Sequence, residues 1–191
     1  MHRTEDTGLL RKVEAGMHRK EDAGMHRRED ASMRRSEKEI KDFDEIIEII
    51  GRCDVCRLAL FNDEYPYIVP VSFGIMFENE HLHIIFHSSH QGKKIELLKR
   101  DNRVAFEMDN SGSVLIGESG CDSTMQYQSV CGNGLVYVVP ELEKPAALAA
   151  IMDHYAAGRS FEFSEAAIAN TAVLRLTVSS LTAKQSPGKQ A

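Results

Sequence analysis

The chain lacks any long apolar run, any surplus of positive charge, and more than a handful of cysteines. No apolar stretch approaches the roughly 18 residues that a membrane-crossing helix needs, so no span is expected. Lys and Arg number 23 against 29 Asp and Glu, a formal charge of −6. Bulk charge therefore gives no support to nucleic-acid binding. The four cysteines are Cys53, Cys56, Cys121 and Cys131. The N-terminus is too polar for a secretory signal, which points to the cytoplasm and to free thiols. Cys53-Asp54-Val55-Cys56 has the spacing of a redox or zinc pair. Its only further partners, Cys121 and Cys131, are not spaced as a knuckle, and Cys56 opens a strand. His81, His83 and His87 alternate along a strand while His90 falls in a loop. No metal site is expected from either set.

What is present begins with a repeat. Through Ser32 the chain repeats every eight residues, as in MHRKEDAG and MHRREDAS, with basic and acidic side chains in balance. That period fits neither the 3.5-residue seam of a coiled coil nor the 3.6-residue helical stripe. Gly8, Gly16 and Gly24 weaken a continuous helix further. Residues 1–32 are read as a disordered arm or upstream extension, 33–184 as one domain long enough to bury a core, and 185–191 as a flexible tail.

Beyond the arm, periodicity predicts short strands and few helices. Asp42 and Glu45 look like a capping pair for a helix with Phe43, Ile46, Ile47 and Ile50 on one face, stopped by Gly51. Cys56–Phe61 and Tyr65–Phe73 read as a hairpin around Asn62-Asp63-Glu64. Ile75–Phe77 and His81–Phe86 read as a second hairpin. A helix over Gly92–Arg100 and a strand over Val104–Met108 follow. Asn110–Ser123 is expected to be a loop. Gln126–Val139 is expected to be a long strand bulged at Gly132 and Gly134. Pro140 opens a helix to Tyr155, and Val173–Val178 alternates as a last strand. Consecutive hairpins with few helices predict a mainly β fold, an antiparallel barrel with flanking helices.

The most chemically specific stretch is Ile84-Ile85-Phe86-His87-Ser88-Ser89-His90-Gln91-Gly92-Lys93-Lys94. It reads as an apolar strand, a polar loop and a helix that opens on Gly-Lys-Lys. A helix start leaves unpaired N–H groups and a partial positive charge, and two lysines add to both. Hydroxyls of Ser88 and Ser89 lie one loop earlier. Those are the parts of a phosphate pocket.

Several segments in order also resemble a known family: CDVCRLALFNDEYPYIVPVSFG, IIFHSSHQGKKIELLKRDNRVAFEMD, YQSVCGNGLVYVV and VLRLTVSSLTAKQ. Together they look like the nitroimidazole-resistance branch of the pyridoxamine-phosphate-oxidase-like, FMN-binding split-barrel proteins. Ala183 departs from the usual Gly of a Thr-Gly-Lys ending. The resemblance implies an antiparallel, Greek-key-like split β-barrel with FMN at a homodimer interface. It implies that Arg57 and Leu58 run along the flavin and that Phe86 and His87 meet its ring and ribityl chain. Gly92, Lys93 and Lys94 would bind its phosphate, with Ser88, from the reading of the loop, in reach of the same point. Tyr127 and Ser129 would close the pocket, with Val69, Val71 and Phe86 as apolar walls.

The expected function is a flavin-dependent oxidoreductase acting on a small aromatic or nitroaromatic compound, with His87 placing the substrate or supplying a proton. The alternative is a flavin- or haem-binding carrier or sensor without turnover. A thiol-based redox or zinc protein is a third reading, resting on Cys53 and Cys56 alone. No nucleic-acid or membrane partner is expected.

Overall fold

In the computed structural model, residues Ser36–Ser186 are described. The arm and most of the tail fall outside them. The strands are β1 (Glu39–Ile40), β2 (Cys56–Leu60), β3 (Tyr67–Val71), β4 (Phe73–Glu78), β5 (His81–Ser88), β6 (Arg103–Leu115), β7 (Thr124–Val138) and β8 (Ala172–Gln185). The helices are α1 (Phe43–Arg52), α2 (Lys93–Arg100), α3 (Lys144–Tyr155) and α4 (Glu165–Ala169). The strands form one antiparallel sheet in the order β3-β2-β6-β7-β8-β5-β4, with β1 on the free part of β8. Only Ser72 separates β3 from β4, yet these are the two outermost strands. The sheet must therefore curl until its edges meet at Ser72, which makes it a split β-barrel.

Alternation along the strands sends one set of side chains inward. Leu58, Leu60, Phe73, Ile84, Phe86, Phe106, Met108 and Leu176 fill the barrel, with Ile46, Ile47, Ile49 and Ile50 of α1 packed on them. Asp42 caps α1 as expected, its carboxylate accepting from the N–H groups of Asp44 and Glu45 at 2.9 and 3.1 Å. A second cluster lies outside the barrel, where Ala147 and Ile151 of α3 cover Ile85 and Val173. Cys53 and Cys56 are buried free thiols, and no helix of the described residues is long and apolar enough to cross a membrane.

Several boundaries differ from the sequence reading. Gly51 lies within α1, which ends one residue later with Cys53 as its cap. The expected strand Tyr65–Phe73 is broken at Ser72, the corner of the barrel. The turn before β5 is a two-residue one, with Asn79 and Glu80 both at positive φ. The largest difference is Asn110–Leu115. It continues β6 as a ladder against β7, with an irregularity between Ser111 and Val114. Pairing with a long partner overrides the weak strand propensity of its Ser and Gly residues. A 3₁₀ turn, Glu141–Glu143, separates Pro140 from α3. The bulge at Gly134 is present, as a register shift between Asn133 and Gly134. A Cβ at Gly134 would run into the carbonyl oxygen of Thr177 on β8.

Candidate cofactor site

The helix start at Gly92 is where chemistry can collect. Gly92 has φ 115° and ψ 168°, a conformation that residues with a Cβ rarely adopt. It turns the chain sharply into α2, and no side chain caps the helix. The first N–H groups of α2 are therefore left for another acceptor. A Cβ at Gly92 would meet nothing within 4 Å, so there is room before the helix.

The two lysines at this start reach in different directions. The Lys93 ammonium lies 5.1 Å from the ring centroid of Tyr67, on edge strand β3. The Lys94 ammonium lies 5.7 Å from the ring centroid of Phe86, on β5. β3 and β5 stand on opposite sides of the split, so α2 begins across it. Neither lysine pairs with a carboxylate among the described residues. Lys94 is half-buried, and burial holds its pKa below the ordinary 10.5. A half-buried ammonium without a carboxylate partner among the described residues is partly desolvated, and an arriving anion relieves that cost.

Phe86 and His87 point to opposite faces of β5. Phe86 is fully buried in the barrel, whereas His87 is exposed on the outer face, opposite Val173 of β8. Ser88, half-buried, ends the strand opposite Ala172. Ser89 is engaged within the loop, its hydroxyl accepting from the N–H of Gln91 at 3.3 Å. Leu58 and Val71 are buried in the barrel core and Val69 packs against it.

Arg57 stands on the outer face, ion-paired to Glu107 at 3.1 Å and to Asp109. Hydrogen bonds first to Asp109 and then to Glu107 hold its pKa above the ordinary value. The trio of one guanidinium and two carboxylates carries one net negative charge. Tyr127 and Ser129 lie further off. The ring of Tyr127 has Lys38 and Lys184 each 5.9 Å from its centroid. The Ser129 hydroxyl is buried and without a partner among the described residues. Register places Val104 opposite Leu60 and Asp109 opposite Ser129. Five residues at about 3.3 Å each put Ser129 about 17 Å along the sheet from the Leu60 end where α2 starts. Within one protomer, then, Lys93, Lys94, Gly92 and Phe86 are brought together, and Arg57, Tyr127 and Ser129 are not.

The sequence reading placed Tyr67 within a hairpin strand, Asp63 in its turn and Arg100 at a helix end, and assigned none of them to the site. Asp63, in the β2–β3 turn, is bonded by Arg100 at 2.6 Å. That bond, the Arg100 charge and more weakly Lys93 hold its carboxyl below the usual range. Tyr67 and Lys93 are too far apart in the chain for spacing to have linked them.

The sequence pattern of the pyridoxamine 5'-phosphate oxidase family matches residues 42–185. No curated protein matches the chain. Among solved structures, it resembles a candidate 5-nitroimidazole antibiotic resistance protein from Bacteroides thetaiotaomicron, at 32% identity and TM-score 0.66, over 77% of this chain and 86% of that one. An FAD and haem binding protein from Mycobacterium smegmatis shares the fold at 20% identity and TM-score 0.71, over 79% and 74% of the two chains. The flavocytochrome Anf3 from Azotobacter vinelandii does so at 17% identity and TM-score 0.69, over 82% and 73%. With the family pattern spanning most of the barrel and a relative this similar, the chain belongs to the pyridoxamine 5'-phosphate oxidase family.

Proposed function

We propose that this chain is an FMN-dependent reductase of small aromatic or nitroaromatic compounds, working as a cytoplasmic homodimer with the cofactor between subunits. One observation carries the reading. In a chain of this family, an uncapped helix start presents two lysines that no carboxylate among the described residues neutralises. That donor set fits a phosphate monoester: charge-assisted hydrogen bonds from two ammoniums, N–H groups of the helix start, and space at Gly92. Likeness to a candidate 5-nitroimidazole resistance protein favours a nitroaromatic substrate.

A homodimer is favoured by apolar side chains left open on the sheet: Ile68 on β3, Val114 on β6, and Met125 and Val138 on β7. A two-fold partner is also the simplest way to bring Arg57, Tyr127 and Ser129 to a shared site with Lys93 and Lys94, since one protomer holds them apart. When bound, the flavin supplies the electron transfer, and the protein supplies position and electrostatics. Lys93 and Lys94 hold the phosphate end. His87, exposed beside the strand end that leads to them, is the group placed to orient a substrate or hold a proton for it.

The test is reoxidation of anaerobically reduced, protein-bound flavin by a nitroaromatic. It should be faster than for free reduced FMN. His87→Ala should slow it by about 10²–10⁴ if the histidine is the proton donor, with FMN still bound. A bound flavin inert to nitro compounds and to nicotinamide donors would assign the chain to carriers or sensors instead.

A further inference from the structure

We propose that the β2–β3 hairpin is part of the phosphate site: Tyr67 positions Lys93, and Arg100 holds Asp63 away from it. The inference rests on the FMN reading above and extends it to residues that never touch the phosphate.

Lys93 is exposed, on a flexible stem, and meets the hairpin that carries Asp63. Asp63 lies in the turn of the hairpin whose Tyr67, opposite Leu60, meets the Lys93 ammonium, and the Lys93 charge adds weakly to the lowering of its pKa. An acid in this turn that nothing else held would be free to swing toward the exposed Lys93, and such a pair would compete with an incoming anion. Two features of the structure oppose this. Arg100, at the far end of α2, donates to both carboxylate oxygens of Asp63, at 2.6 and 3.5 Å. A planar guanidinium that engages both oxygens is a better partner than an ammonium. The Lys93 ammonium meanwhile lies 5.1 Å from the Tyr67 ring centroid, a cation–π distance. An aromatic face attracts a cation without neutralising it, so the full charge stays available. α2 thus uses its two ends on one hairpin: the basic last turn ties down the acid, and the first turn rests its lysine on the ring.

The consequence is specific to the phosphate. Arg100→Ala frees Asp63 in the hairpin that Lys93 meets, which should weaken FMN binding about twofold to fivefold. Riboflavin, which lacks the phosphate, should bind the variant as it binds the parent protein. Adding Asp63→Asn to Arg100→Ala removes the competing charge and should restore FMN affinity. Tyr67→Leu should weaken FMN about twofold to fivefold and spare riboflavin, while Tyr67→Phe keeps the ring and the affinity. The experiment is fluorescence titration of the full-length chain and these four variants with FMN and with riboflavin, alongside thermal melts. Rescue by the second substitution, with riboflavin affinity constant throughout, supports the proposal. If the double variant binds FMN no better than Arg100→Ala, or if both ligands weaken together, the hairpin is only scaffold. If the parent protein itself does not prefer FMN over riboflavin, the phosphate site fails first and the inference with it.

Discussion

Replacing both Lys93 and Lys94 by Ala tests how the cofactor is held. Neither lysine has a carboxylate partner among the described residues, so removing them breaks no ion pair and orphans no acid. Both side chains rest on aromatic rings, Tyr67 and Phe86, which remain packed without them. The fold should survive, with unchanged circular dichroism. A hydrogen bond to a charged group contributes about 1.5–3 kcal/mol, so two lost contacts amount to about 3–6 kcal/mol, or roughly 10²–10⁴ in affinity. The true value sits toward the lower end if the uncapped helix N–H groups keep part of the phosphate. Titration of the folded variant with FMN should show that loss, and riboflavin should bind as before. A pH series adds a second reading. Burial puts the pKa of Lys94 below the ordinary 10.5. Raising pH through that lowered value removes the ammonium, so FMN affinity should fall at a less alkaline pH than an exposed lysine would give, with riboflavin flat. Unchanged FMN occupancy in the folded double variant would refute the site.

Other consequences follow from burial. Gly134→Ala sets a methyl against the Thr177 carbonyl at the bulge and should cost about 1–3 kcal/mol, read as a lower denaturation midpoint. Burial pushes the Cys53 thiol up to about 11 and the Cys56 thiol up to about 12, so both stay protonated near neutrality. A thiol reagent should modify at most the exposed Cys121 and Cys131 in the native protein, and all four only after denaturation. His154 is bonded to the Cys53 carbonyl at 2.8 Å, its other ring nitrogen is buried without a partner among the described residues, and burial lowers its pKa from 6.5. The unfolded chain then takes up the proton first, so the His154 contribution is complete above pH 6.5 and is lost as pH falls toward the folded value. His154→Gln should flatten the acid side of a melting-temperature profile, and an unchanged slope would remove His154 as its cause.

The hairpins were legible because each carries its own signal: alternation, then a polar turn such as Asn62-Asp63-Glu64 or Glu78-Asn79-Glu80. The helix start at Gly92 was legible for the same local reason. The rest depends on contacts distant in sequence. Asn110–Leu115 is rich in polar and small residues and becomes strand only because Thr124–Gln128 pairs with it. The break at Ser72 is set by closure of the barrel. Arg57 reads as a lone basic residue on a strand, and only the β2–β6 register puts Glu107 and Asp109 beside it. Alternation does say that Phe86 and His87 face opposite ways. It does not say which face is the core until β8 pairs beside them.

The visible spectrum of the purified full-length chain, with its bound cofactor quantified after denaturation, tests the central claim most directly. The account predicts flavin absorption bands and release of FMN at about one per chain. A Soret band, released FAD in place of FMN, or a colourless protein that takes up no added FMN would contradict it.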